Sequence, residues 1–343
     1  MFNKHDQDHI LKQVGNCWFK LERKNIFISG GTGFIGKWLI GSLILANKIY
    51  SLNCKVAILT RNSQVFRNSY DYIANDPAVS FIDNDIRFLT HDSKEYDFVI
   101  HAATDVSLSN SPIDTFDVCS IGTRSILDFA IKSKASNFLL LSSGAVYGKQ
   151  PPELNSIDEL YNGIPDRISE KSAYGLGKIC SEWMTSEYNR KYGLNTKIAR
   201  CFSFVGPYLP MDKHFAIGNF IKDAITGGSI VINGDGTPIR TYLYSADLAV
   251  WLWRILLDGD KGDVFNVGGD RQISIEQLAT LIKDLVNPKA KIIVGNKNVK
   301  NIFPERYVPD INLAQKKLGL FPIISLDKSI ENTTKWFLNK DEK

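Results

Sequence analysis

The chain has 343 residues, 44% of them apolar and 23% charged, with 41 Lys and Arg against 37 Asp and Glu, a net charge of +4. At roughly 150 residues per domain this fits two domains or one large domain with two lobes, in a folded rather than a disordered chain. A small net charge without a basic run argues against a nucleic-acid or membrane surface, and is compatible with a locally basic pocket for an anionic small molecule.

Residues 1–24 mix polar and apolar side chains and read as an N-terminal extension. They lack the apolar core of a signal peptide, and no apolar stretch in the chain approaches the ~20 residues that span a bilayer. From Asn25 the pattern becomes regular. Short apolar runs predict strands at Asn25–Ser29, Lys55–Thr60, Val79–Asp83, 97–101, 137–142 and 196–201, with helical patterns between them, notably over 111–133 and 172–192. Apolar strands alternating with helices predict an α/β fold, a Rossmann-like doubly wound parallel sheet with helices on both faces. After about residue 203 the elements shorten and glycine and proline punctuate them, with helices predicted at 246–257, 274–286, 311–318 and 326–339. The expected division is a dinucleotide-binding domain over 25–202 with a returning segment at about 238–264. A smaller C-terminal α/β substrate-binding lobe takes 203–237 and 265–343. The five cysteines are odd in number and widely spaced, without a CxxC or Cys/His cluster. That argues against a disulfide framework or a zinc site and fits the cytoplasm.

Residues 29–36 read Ser-Gly-Gly-Thr-Gly-Phe-Ile-Gly. Gly30, Gly33 and Gly36 follow a predicted strand, and Phe34 and Ile35 open a predicted helix. That setting allows a tight turn, close approach of backbone to pyrophosphate, and free N–H groups at the helix start. An acidic residue at the end of the second strand would hold the ribose of NAD(H); this chain has Thr60-Arg61-Asn62, a hydroxyl and a guanidinium suited to the 2′-phosphate of NADP(H). The plainer reading of Arg61 is a solvated loop residue. Asp85 and Ile86, after the third strand, are placed to flank the adenine, with Asp85 accepting from its amino group; an ordinary turn acid is the other reading.

Tyr174 and Lys178 stand four positions apart, on one face of a predicted helix. The lysine charge favours the phenolate, making the tyrosine a usable proton donor or acceptor. Ser142 and Ser143 end an apolar strand, where a doubly wound sheet presents groups to its ligand.

Together, the glycine turn, His101-Ala102-Ala103, Ser142-Ser143 with Val146-Tyr147-Gly148, and Tyr174 with Lys178 resemble the extended short-chain dehydrogenase/reductases, in the branch acting on nucleotide sugars. The resemblance covers roughly 25–335 and continues through Gly234-Asp235-Gly236-Thr237, Arg240 and Phe265-Asn266-Val267-Gly268. It implies that Tyr174 is the acid/base, that Lys178 binds the nicotinamide ribose and that Ser143 bonds the reacting sugar oxygen. Ala102 and Ala103 would lie against the dinucleotide, Arg240 and Arg306 would bind the substrate diphosphate, and Ser203 stands where an Asn often contacts substrate. Residues 215–219 would contribute to the sugar or base pocket. A homodimer through the helices of 112–133 and 172–192 is the expected assembly. Gly144-Ala145 replaces the acid pair of the dehydratases and the Glu of the decarboxylases, and Cys119 stands where an Asn is usual, reading as a buried small residue.

The expected activity is therefore NADPH-dependent reduction of the C4 keto group of a nucleotide-linked 6-deoxyhexose, of the dTDP-4-keto-6-deoxyglucose type, in deoxysugar or surface-polysaccharide synthesis. The alternatives are an NAD-dependent nucleotide-sugar 4-epimerase and a non-catalytic NADP-binding regulator.

Overall fold

The computed structural model describes residues 2–90, 93–103, 111–212, 215–295 and 304–340. The apolar runs form β1 (Asn25–Ser29), β2 (Lys55–Thr60), β3 (Val79–Asp83), β4 (Phe98–His101), β5 (Asn137–Ser143) and β6 (Asn195–Cys201). Together with Val264–Val267 they make one seven-stranded sheet in the order Val264–Val267, β6, β5, β4, β1, β2, β3. β1 to β6 pair in parallel. β1, β2, β4 and β5 are buried almost throughout, whereas the outermost strand, β3, is only half-buried. Strands covered on both faces need continuous apolar side chains, which is why these runs do not alternate. The order reverses between β4 and β1, and a doubly wound sheet binds its ligand at that reversal, outside the carboxyl ends of the strands.

The connecting helices are α1 (Lys4–Val14), α2 (Phe34–Tyr50), α3 (Ser63–Ser69), α4 (Asp71–Ala74), α5 (Pro112–Lys132) and α6 (Ala173–Tyr192). Ser111 caps α5 by accepting from Asp114 N–H, with Pro112 just inside, and Gly193 ends α6 in the left-handed region. Phe27, Val99, Ile126, Phe129, Phe138 and Ile198 fill the core beneath α5 and α6. α5 and α6 lie close together because Gly177 faces Cys119: a Cβ on Gly177 would stand 2.7 Å from the cysteine Cβ. Cys119 is buried, as a small packing residue would be.

The chain divides into two compact units. One comprises Met1–Gly148, Ile164–Cys201 and Ala249–Phe265; the other comprises Lys149–Gly163, Phe202–Leu248 and Asn266–Lys343. The division differs from the expected one in two places. The returning segment of the first unit starts at Ala249 rather than about 238, and 149–163 belongs to the second unit. There Gln150 accepts from Val308 N–H, and Asn266 donates to the carbonyls of Ile157 and Asp310, fastening the segment to its own unit.

Residues 1–24, moreover, are integral to the first unit. Asn3 caps α1 through Asp6 N–H, and Ile10, Val14, Trp18 and Leu21 are buried. Phe2 stacks on Trp38 at 4.0 Å, over the notch left by Gly41, and Trp18 packs against Trp253. Lys20 and Cys17 both bond the carboxylate of Asp258, at the end of the helix Ser245–Asp258.

The second unit holds helices Ala216–Ile225, Ile275–Val286, Asn312–Leu318 and Leu326–Lys340 around short strands. Ile275–Val286 opens with a reciprocal capping box between Ser274 and Gln277. Residues 215–219 enter the helix Ala216–Ile225, an element the sequence reading did not predict. None of the described helices is long and apolar enough to cross a membrane.

Candidate active site

The turn after β1 ends at α2, whose first N–H groups have no helical carbonyl to bind. Gly30 sits at φ +75°, and a side chain there would collide with Ala103 N at 2.6 Å. Gly36 lies on Gly31, which a Cβ would approach to 2.4 Å. These contacts draw β1, β4 and α2 together, with Phe34 and Ile35 forming the first turn of α2.

Beside the turn is a pocket of about 320 Å³ lined by Gly30, Thr32, Gly33, Leu59, Thr60, Arg61, Asn84, Asp85, Ile86, Arg87, Ala102, Ala103 and Val118. The structure thus gathers the glycine turn and the ends of β2, β3 and β4 around one cavity. Gly33 is exposed, which leaves bare backbone at the helix start. This combination fits the adenosine and phosphates of a dinucleotide. A larger hollow of about 400 Å³, lined by Lys55, Pro77, Lys94 and Tyr96 among others, includes none of the glycine-turn residues.

Asp85, in the pocket lining, is paired with its neighbour Arg87. Both carboxylate oxygens are taken by Arg87, with Nε to Oδ1 at 3.0 Å and Nη2 to Oδ2 at 2.8 Å, while Arg87 N–H adds a third bond. The hydrogen bond from Arg87, with a further contribution from the charge of Arg61, holds the Asp85 carboxyl below its ordinary range. Asp85 therefore anchors Arg87 in the pocket wall. Arg87 was missed, although the acid two residues before it, at a turn, was a usable signal. The other carboxylate near the end of β2, Asp83, is bound to Ser63 N–H and Oγ at the start of α3.

Ser143 ends β5, its Oγ accepting from Ala145 N–H at 3.1 Å. Tyr174 and Lys178 lie one turn apart on α6. The Lys178 ammonium is 5.9 Å from the centre of the Tyr174 ring and donates to the Leu141 carbonyl at 2.8 Å. Burial lowers the pKa of Lys178, and Cys119, Cys201 and Glu182 partly offset that effect. His101, also buried, is pushed well below its ordinary pKa by burial and by Lys178. Its ring bridges Ser29 Oγ at 2.8 Å and Thr123 Oγ1 at 3.0 Å, and Thr123 donates to Ser181 on α6. This buried chain ties β1 and β4 to α6.

Ser203, Arg240 and Arg306 belong to the second unit. Ser203 is half-buried, and its carbonyl accepts from Leu243 N–H. The two arginines do not converge. In the parallel pairing of Ile239–Arg240 with Arg306–Tyr307, Arg306 is opposite Ile239 and Tyr307 is opposite Arg240. Successive strand residues point to opposite faces, so Arg240 shares a face with Tyr307 and Arg306 takes the other. Arg240 lies over the Tyr307 ring and pairs with Glu305, whereas Arg306 donates to Gln272.

Fold and site together define a nicotinamide-dinucleotide-dependent enzyme of the Rossmann type. The chain belongs to the NAD-dependent epimerase/dehydratase family, whose model matches residues 26–268. UDP-glucuronic acid decarboxylase 5 of Arabidopsis thaliana is 29% identical over 326 residues, covering 92% of this chain and 89% of that protein. Among solved structures, an epimerase from Methanothermobacter thermautotrophicus superposes with a TM-score of 0.80 at 22% identity, covering 97% of both chains. The UDP-glucuronic acid 4-epimerase of Bacillus cereus, in complex with UDP-glucuronic acid and NAD, gives 0.76 at 22% identity over 92% of this chain and 99% of that one.

Proposed function

We propose that this enzyme reduces the C4 carbonyl of a nucleotide-linked 4-keto-6-deoxyhexose, using NADPH. The observation that carries this reading is the arginine in the dinucleotide pocket: Arg61 and Thr60 line it at the end of β2, where a carboxylate would favour NAD. The segment after Ser143 supports it too. Gly144-Ala145 offers no carboxylate there, so the elimination or decarboxylation chemistry that needs an acid or base at that point is disfavoured. This separates the chain from the decarboxylases it resembles in sequence.

The bound dinucleotide supplies the hydride. Tyr174 gives its phenolic proton to the C4 oxygen, and the nearby ammonium of Lys178 stabilises the phenolate left behind. Ser143 donates to the same oxygen as its charge develops; the Ala145 N–H on its Oγ polarises the hydroxyl for that task. Arg240, half-buried and stacked on Tyr307, takes the substrate diphosphate in exchange for Glu305.

The expected assembly is a homodimer through α5 and α6, which carry Ile121 and Trp183 out to solvent. A reducing cytosol suits five cysteines, none of which is in a disulfide among the described residues.

The deciding experiment is to denature the purified protein and identify any released nucleotide, alongside a turnover assay with dTDP-4-keto-6-deoxyglucose. An empty protein that consumes NADPH with the keto sugar supports the reductase. Stoichiometric tightly bound NAD, with interconversion of C4 epimers, would make it an epimerase. NADPH binding without turnover of any keto sugar would make it a regulator.

A further inference from the structure

Behind Ser143 lies an ion pair that the reaction as described does not use. Glu182 of α6 is one turn beyond Lys178 and two beyond Tyr174, on the same face of the helix. Its carboxylate accepts from Arg200 of β6 through Nε at 3.0 and 3.2 Å and Nη2 at 2.7 Å, and from Ser142 Oγ at 2.5 Å. Arg200 donates onward through Nη1 to Tyr147 OH at 2.7 Å and lies over that ring. Ser142 and Tyr147 bracket Ser143 and the 3₁₀ turn Gly144–Tyr147, and both are buried. Burial alone would lower the Arg200 pKa, but the bonds and charge of Glu182 outweigh it and raise it.

We propose that Glu182 and Arg200 are positioning residues, a two-sided clamp that holds Ser143 in register with Tyr174 and Lys178. The inference rests on the catalytic reading of those three residues. A buried pair is weak evidence for net stability, because desolvation offsets its attraction, but it fixes geometry through fork-to-fork bonds that a lysine does not reproduce. The titratable groups that act on the Lys178 ammonium are Tyr174, over whose ring it sits, Cys119 from α5, Cys201 from β6, His101 from β4 and Glu182 from α6 itself. Of these, Glu182 is the acid, so its removal makes the ammonium easier to deprotonate.

The test compares Glu182→Gln, Glu182→Asp and Arg200→Lys with wild type in the full-length chain, using NADPH and dTDP-4-keto-6-deoxyglucose. Glu182→Gln should lower kcat roughly 10-fold or more, with the KM for NADPH within about 2-fold, and move the alkaline limb of the kcat profile to lower pH. Glu182→Asp should recover part of kcat. Arg200→Lys should lower kcat and leave the limb in place. Amide hydrogen exchange over 142–148, measured with NADPH bound, reads the clamp without any sugar and should rise in Glu182→Gln and Arg200→Lys. Unchanged kcat and unchanged exchange in Glu182→Gln would overturn the inference. So would a loss of kcat that merely tracks the loss of folded protein, with no shift of the limb. If wild type fails on the keto sugar while exchange still rises over 142–148, the clamp stands and the substrate reading falls.

Discussion

At the scale of single residues, the reaction centre depends on which groups carry protons and which carry charge. Tyr174→Phe removes the acidic hydroxyl and keeps the ring over which Lys178 sits. Turnover should fall by roughly 100-fold or more, with NADPH affinity within about 2-fold; an undiminished rate would dismiss the proton-donor role. Arg61→Ala should weaken NADPH by roughly 10-fold while leaving NADH nearly unchanged, measured by fluorescence titration, because in the proposed reading only the 2′-phosphate meets the guanidinium. Equal weakening of both nucleotides would argue against that contact. The placement of Tyr174 and Lys178 on one helix, and of Ser143 at a strand end, was legible in the sequence because helical spacing and an apolar run set it without any tertiary information. Arg306 was not, because the face on which a side chain falls in a two-residue strand is set by its neighbours. Its pairing with Ile239 puts it opposite to Arg240.

Among elements, an exacting fit is α5 against α6 and the least expected is α1 against α2. Gly177→Ala would push a methyl group into Cys119, a clash between atoms too near the backbone to swing aside. The expected cost is about 1–3 kcal/mol by urea denaturation, together with a loss of turnover, since α6 carries both Tyr174 and Lys178. Trp18→Ala removes a fully buried ring that packs on Trp253, and should cost about 3–5 kcal/mol in the same measurement. A Trp18→Ala protein as stable as wild type would return 1–24 to the status of a loose extension. The strands β1 to β6 were readable because doubly covered strands are short and uniformly apolar. The helix α1 was not: its buried residues are Asp6, Ile10 and Val14, the other eight are mostly charged or polar, and the partner surface becomes visible only in three dimensions.

Over the whole molecule, stability should depend on pH through a lysine remote from the proposed chemistry. Lys197 of β6 is buried, its ammonium donating to Asn137 Oδ1. Burial, set against Asp263 and Asp260, lowers its pKa from 10.5 to about 8. Between those two values the unfolded chain binds more protons than the folded one, so this group's contribution to stability rises with pH across that interval and is lost as pH falls through about 8. Lys197→Met should therefore raise Tm at pH 7, and the gain should shrink as the pH is taken from 8 towards 10.5. A gain that stays constant with pH would show that packing, not charge, is responsible. The division of the molecule was only partly legible. Composition and rhythm located the change near residue 203, but the excursion of 149–163 into the second unit is held by bonds from Val308 to Gln150 and from Asn266 to Ile157, pairs more than a hundred residues apart.

The docking of the first two dozen residues also sets the order in which the protein can be finished on the ribosome. Cys17 meets Asp258 across 241 positions, and the sheet is completed by a strand ending at Val267. Three quarters of the chain must therefore be synthesised before Trp18 finds its cover on Trp253. Until then the nascent polypeptide displays apolar surface of the kind that makes unfinished chains prone to aggregate.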